Sequence, residues 1–168
     1  MSDTTILAIS DTHGSDKTIA NLLRKYKNMV SDAIHLGDHA RDMTRFADKY
    51  SGDIIFHVTN GNTDPQVPAY KERVIEISGK RIFITHGHLY DVKANTNRLV
   101  YKANELGVDA CLFGHSHAPT LFTQDDIVFL NPGSPAHPRE GTKKGYGLIT
   151  ISEDGTISGQ LLGYEDYV

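Results

Sequence analysis

Five short runs rich in Ile, Val, Leu and Phe each stop at a knot of oxygen and nitrogen donors. ILAIS leads into Asp11-Thr12-His13, AIHLG into Asp38, IFHVTN into Gly61-Asn62, RIFIT into His86-Gly87-His88, and CLFG into His115-Ser116-His117. Apolar runs this short and this rich in β-branched and aromatic residues read as strands. In open α/β sheets the loops at the carboxyl ends of strands converge on one crevice, where ligands bind. Five separated segments can therefore bring side chains to one point.

The rest of the chain fits around those runs. RVIEIS, DIVFL, GYGLITI and TISGQLL read as further strands. Ile19, Leu22, Leu23 and Tyr26 share one face of a helix that Ser15 or Asp16 can cap, a second helix spans 41–49, and a third carries Leu99, Val100, Ala103 and Leu106 before Gly107 stops it. Strand and helix alternate early. From APTLFTQDDIVFLNPGS onward, strands are joined by tight turns such as Gln124-Asp125-Asp126 and Glu153-Asp154-Gly155. The pattern predicts an α/β core with an antiparallel β extension. With 168 residues and no linker or repeat, we expect one domain over 1–168.

Composition narrows the classes of function. A formal charge of −4 and a pI near 6.1 offer no broad attraction to nucleic acid or anionic membrane. The start MSDTTILAIS lacks a basic segment followed by a long apolar one, so a cytoplasmic protein without a membrane anchor is expected. The single cysteine, Cys111, forbids an internal disulfide and a Cys-rich zinc site, and its apolar neighbours predict a buried thiol. Nine histidines are many for this length, and they gather in the clusters named above.

The donors at the strand ends are Asp11, His13, Asp38, Asn62, His86, His115 and His117. Oxygen and imidazole nitrogen without thiolate suit manganese, iron, zinc or cobalt, whereas calcium and magnesium prefer mostly oxygen. Seven donors exceed what one tetrahedral ion takes. They suit two ions about 3.5–4 Å apart that share a carboxylate. Alternate residues of an extended segment point the same way, so Asp-x-His and His-x-His can each aim two side chains into one cavity.

In this order the motifs Asp11-x-His13, Gly37-Asp38, Gly61-Asn62, His86-Gly87-His88 and Gly114-His115-x-His117 resemble the calcineurin-like metallophosphoesterases. The length and the stretch NPGSPAHPR are similar to the small prokaryotic phosphodiesterase branch. The resemblance implies a metallophosphoesterase-type four-layer αββα sandwich, its mixed sheets flanked by helices. It also implies one ion on Asp11, His13, Asp38 and His117 and a second on Asp38, Asn62, His86 and His115, Asp38 bridging. The implied cofactors are two divalent ions, manganese first and iron, zinc, nickel or cobalt as alternatives. The implied activity is hydrolysis of a small phosphoester, a diester foremost, by in-line attack of a hydroxide shared between the ions. A phosphomonoesterase and a non-catalytic protein-interaction scaffold of the same fold are the alternatives.

One motif departs from the family pattern. Where many relatives have a histidine after the asparagine, this chain reads Gly61-Asn62-Thr63-Asp64, and a threonine is no general acid. The proton for a leaving group then falls to His88, a water or another loop histidine, unless the leaving group needs none. Asp64 is expected to support His13 or another ligand from behind. Arg139, with Ser134, is expected to bind the substrate phosphate, since a guanidinium forks two hydrogen bonds to such oxygens.

The remaining unusual residues read plainly. His35 and His57 fall inside strands as core or edge residues, and His39 and His137 are surface or rim residues. Asn131 to Ser134 forms a turn, and Lys143-Lys144 lies in a solvated loop. The tail GYEDYV forms an edge or an oligomer contact, and any oligomer is expected to be a homodimer.

Overall fold

Strand β1 (Thr4–Ile9) sets the layering of the molecule. Its Ile6 and Ala8 face one apolar core while Leu7 and Ile9 face another, as the two-residue period of a strand requires. The computed structural model describes residues 2–50 and 52–165 of the chain. β1 pairs in parallel with β2 (Asp32–His35), and β2 in parallel with β3 (Ile55–Val58). On its other side β1 pairs antiparallel with β9 (Gly145–Ile151), which is followed by β10 (Ile157–Gly163).

A second sheet of five strands faces the first. It runs β4 (Arg73–Ile77), β5 (Lys80–Ile84), β6 (Ala110–Leu112), β8 (Ile127–Asn131) and β7 (Thr120–Gln124), with β5, β6 and β8 mutually parallel. Ile6, Ala8, Ile34 and Leu36 of the first sheet meet Ile82, Ile84, Ala110, Leu112 and Leu130 of the second. The outer faces are covered by helices. Helix α1 (Asp16–Tyr26) lays Ile19, Leu22, Leu23 and Tyr26 on Leu7 and Ile9, and α2 (Arg41–Tyr50) adds Met43. Helix α3 (Asn97–Leu106) packs Leu99, Val100 and Ala103 on Phe83, Cys111 and Phe129, and ends at Gly107 with φ +61°. The result is the expected four-layer αββα sandwich.

Several details differ from the sequence reading. The antiparallel region is no extension, because β7 and β8 complete the second sheet while β9 and β10 complete the first. Turn chemistry marks where such strands reverse, but which sheet they join depends on distant partners. Neither expected residue caps α1 through its side chain: the Ser15 hydroxyl bonds Thr18 Oγ1 (2.7 Å) and Asp16 pairs with Arg45 (2.8 Å). Cys111 is buried, and His57 pairs with Asp32 at 2.8 Å, both as expected. Of the tail, Gly163 closes β10 at the edge of the first sheet as one of the two readings had it, Tyr164 is buried with its hydroxyl accepting from Asn21, and 166–168 lie outside the described residues. No helix among the described residues is long and apolar enough to cross a membrane.

The inter-sheet core leaves no spare room at Leu130. A Cβ added at Gly147 of β9 would lie 2.8 Å from Leu130 Cδ2, and one at Gly159 of β10 3.2 Å from Leu130 Cδ1. We therefore expect Gly147→Ala to destabilise the protein by about 1–3 kcal/mol in urea unfolding, as overpacked cores do. A neutral or stabilising effect would mean that Leu130 does not fill this space.

Candidate metal centre

The ends of β1, β2 and β3 in one sheet and of β5 and β6 in the other open onto a common edge, and the donor clusters follow those ends. The convergence is not produced by strand pleat, as the x in Asp-x-His suggests. Asp11, His13, Asp38, His39, His115 and His117 lie beyond the strands with φ of 56°, 46°, 59°, 68°, 71° and 57°. Left-handed backbone is unfavourable for residues with a Cβ, and its concentration here marks loops held in shape by what they surround. Two glycines permit the close approach. A Cβ on Gly61 would collide with the backbone N and Oδ1 of Asp38, and one on Gly114 with the Ser10 hydroxyl.

Two donor groups result. One ligand atom from each of Asp11, His13, Asp38 and His117 lies within 4.8 Å of the others, and Asp38, His86 and His115 form a second such group. Asp38 belongs to both. Asn62 Oδ1 stands 3.2 Å from His86 Nε2, beside the second group. All seven donors picked out by the sequence are thus brought together.

The contacts among them suit cations better than they suit one another. His13 Nε2 faces His117 Nε2 at 3.3 Å, and His115 Nδ1 faces His86 Nε2 at 3.2 Å. In each pair one nitrogen at most can donate, whereas a cation between them would satisfy both lone pairs. Asp11 Oδ1 is buried without a hydrogen-bond partner, although His117 Nε2 is 3.2 Å away. A buried carboxylate left so is costly unless a positive charge faces it. The residues present therefore fit a pair of divalent ions.

Backbone carbonyls fix how two of the imidazoles point. His86 Nδ1–H donates to Leu36 O and His117 Nδ1–H to His137 O, each at 2.6 Å, so Nε2 of both rings faces the centre. Burial alone would lower His86, but the Asp38 and Asp11 carboxylates raise it above the ordinary imidazole range. Asp11 likewise raises His117 against burial. Burial depresses His13, and burial with the His86 and Lys93 charges pushes His115 down to about 4. Burial would raise Asp38, yet His86 and the Thr63 hydrogen bonds hold it well below the usual carboxylate range.

A layer of bonds behind the donors keeps the loops in place. Thr63 donates both its N–H (3.1 Å) and its hydroxyl (2.8 Å) to Asp38 Oδ1. Of the two expected roles, Asp64 takes the second: it supports the ligand Asp38 rather than His13. Its carboxylate accepts the backbone N–H groups of Asp38, His39, Ala40 and Gly61 at 2.8–3.2 Å, which ties the second and third loops together. His35 accepts Gly37 N–H at Nδ1 (3.1 Å), so its Nε2–H donates to Thr12 Oγ1 (2.9 Å), whose own proton goes to Asp42 Oδ2 (3.2 Å). Burial keeps that histidine neutral, at about 4.

The rim holds one of the two expected substrate contacts, Arg139, and one residue that the sequence did not single out, Lys93. Arg139 and Lys93 line a cavity of about 320 Å³ with His115, Ser116 and His117. Lys93 lies in a charged, irregular stretch without a motif, so no local signal marked it. Ser134 is not at the rim. It is fully buried, its hydroxyl donates to Asp11 O (2.8 Å) and accepts Ala136 and His137 N–H, and nothing remains for a phosphate. His88 stands 5.4 Å from the His86 ring on the other flank, with Nδ1 buried and unpartnered. A cavity of about 110 Å³ lined by Asn60, Gln66, Lys71, Glu72, Thr85, His86, His88 and Leu89 opens there. The His39 and His137 rings lie 5.6 and 5.3 Å from His13, at the margin of the centre.

The chain is similar in sequence and fold to known proteins. Residues 5–154 match the model of the calcineurin-like phosphoesterase superfamily domain. The chain is 29% identical over 149 residues to a probable metallophosphoesterase of Bacillus subtilis, YsnB, covering 89% of this chain and 85% of that one. It is 33% identical over 70 residues to the phosphodiesterase YfcE of Escherichia coli, covering 42% and 34%. A conserved Streptococcus pneumoniae protein described as a predicted phosphoesterase superposes with TM-score 0.73 at 27% identity, covering 98% and 99%. Vps29 of Entamoeba histolytica complexed with Zn²⁺ shares the fold, with TM-score 0.66 at 20% identity over 95% and 98%.

The raised pKa values of His86 and His117 carry a consequence for loading. Protons that these rings hold more tightly than a free imidazole must leave before a cation binds, so affinity rises with pH. Calorimetric titration with manganese should show tighter binding at about pH 8 than at about pH 6, with proton release that depends on the buffer. Affinity independent of pH would contradict this electrostatic picture.

Proposed function

The chain belongs to the calcineurin-like phosphoesterase superfamily, and from that premise we propose that it hydrolyses small phosphoesters, diesters in preference, at a binuclear divalent-metal centre. The observation that carries this reading is Asp38, whose carboxylate stands in both donor groups. Asp11, His13, Asp38 and His117 would hold one cation, and Asp38, Asn62, His86 and His115 the other. Manganese is the first choice, with iron, zinc, nickel and cobalt compatible with the same donors. When bound, such ions supply a water acidified toward a pKa of about 7 and positive charge opposite the phosphoryl transition state.

The chain's own groups provide the rest. Thr63 holds the Asp38 carboxylate still, and the Leu36 and His137 carbonyls keep the His86 and His117 rings aimed. Arg139, which lines the larger cavity, would fork hydrogen bonds to substrate oxygens. His88 is lowered by burial and the His86 charge, so it is neutral at pH 7 and can relay a proton but holds none in excess. With Thr63 unable to protonate a leaving group, the site suits esters whose leaving alcohol is already acidic.

Two observations support the diester preference. Cavities flank the donors on both sides, one beside His115 and His117 and one beside His86 and His88, which gives each ester arm its own space. The similarity to the E. coli phosphodiesterase points the same way. The likeness to Vps29 favours the scaffold as second reading, since the same fold is found there. A scaffold would bind its partner with or without chelator and turn over nothing.

We expect manganese-loaded protein to release p-nitrophenol from bis-p-nitrophenyl phosphate faster than from p-nitrophenyl phosphate. Chelator should abolish the reaction and added manganese restore it, while Asn62→Ala and His86→Ala each lower kcat by about 100-fold or more. Turnover indifferent to chelator, or none at all, would remove the hydrolase reading. Faster monoester cleavage would remove the diester preference alone.

A further inference from the structure

The two cavities beside the centre differ in charge. Lys93 and Arg139 line the larger, of about 320 Å³, and no acidic side chain joins them there. The smaller, of about 110 Å³, has one lysine and one glutamate, Lys71 and Glu72, among uncharged and histidine side chains. Neither Lys93 nor Arg139 forms an ion pair with a described residue, whereas Arg45, Lys80 and Lys102 do. Lys93 is near enough to His115 that its charge helps depress that ring. Two unpaired cations thus face one space beside ligands of both proposed ions. Its volume lies at the lower end of small-molecule sites, about 300–1,000 Å³, and leaves room for a group beyond the scissile phosphate.

Resting on the hydrolase reading above, we infer that the substrate carries a second phosphate on the ester arm that lies between Lys93 and Arg139. The scissile phosphate has the cations of the centre as its partners, so these two side chains are left for another anion. A guanidinium presents two parallel N–H groups and an ammonium adds a mobile point charge, a combination that suits a doubly charged phosphate better than a carboxylate. The other flank, where Lys71 and Glu72 stand together with His88 and Leu89, offers no excess of positive charge to a second anion. The polarity of the two flanks therefore fixes the direction in which the diester lies across the centre.

The test uses three p-nitrophenyl phosphodiesters that share the chromophore and differ in the second arm: butyl, carboxybutyl and phosphonobutyl. With manganese-loaded protein the phosphonobutyl ester should exceed the butyl ester by about tenfold in kcat/KM, mostly through KM. Lys93→Gln and Arg139→Gln should each shrink that ratio by about threefold, and Lys17→Gln, on the surface of α1, should preserve it. Calorimetric binding of butanebisphosphonate against butylphosphonate to the same protein should reproduce the tenfold ratio without turnover.

Equal kcat/KM for butyl and phosphonobutyl esters overturns the inference and leaves the hydrolase reading standing. A carboxybutyl ester as good as the phosphonobutyl one overturns the phosphate assignment. If no diester is cleaved and neither phosphonate binds, the hydrolase reading falls and the inference with it.

Discussion

The Asp38 carboxylate couples the two halves of the site. Asn62 stands beside the second group, each remaining donor belongs to one group or the other, and among the described residues only Asp38 stands in both. Its position is overdetermined: Thr63 bonds one oxygen twice, and Asp64 grips the N–H groups of Asp38 itself and of Gly61 opposite. That grip matters because the carboxylate sits among imidazoles whose nitrogens face each other. Without opposing cations, such a cluster satisfies one nitrogen of each facing pair at most and leaves an orphaned Asp11 oxygen, a costly arrangement in a buried place.

The sandwich makes that cluster feasible. Parallel strands in both sheets end at one edge, so loops from β1, β2, β3, β5 and β6 arrive together without long excursions. The rigidity beneath them comes from three apolar cores, two under the helices and one between the sheets. Left-handed residues at Asp11, His13, Asp38, His115 and His117 then turn the loops after β1, β2 and β6 back toward the centre. Strain of this kind persists only where the surroundings leave the chain no alternative, and the His35-Thr12-Asp42 chain of hydrogen bonds supplies one such restraint.

Much of this was legible in the sequence, for identifiable reasons. The donor set stood out because Asp, Asn and His rarely follow apolar runs five times over, and each cluster does sit just past a strand. The layering was less visible. Nothing local in GYGLITI says that it pairs with β1 at the far end of the chain, so β9 and β10 read as an extension rather than as half of the first sheet. Ser134 differs from its expected role, and Asp64 reaches its ligand through backbone N–H groups rather than an imidazole, for a related reason. Both carry the right atoms for the roles expected, but side chains that bond backbone N–H or C=O leave no pattern in sequence spacing. Lys93 escaped notice because a lone surface cation gains meaning only from the cavity it faces.

The central claim is that Asp38 joins two cations. Anomalous diffraction from crystals grown with manganese tests it most directly. Two peaks about 3.5–4 Å apart, with the Asp38 carboxylate between them and Asn62 on the side of His86, are the expected result. A single peak, or peaks that do not share Asp38, would contradict the account.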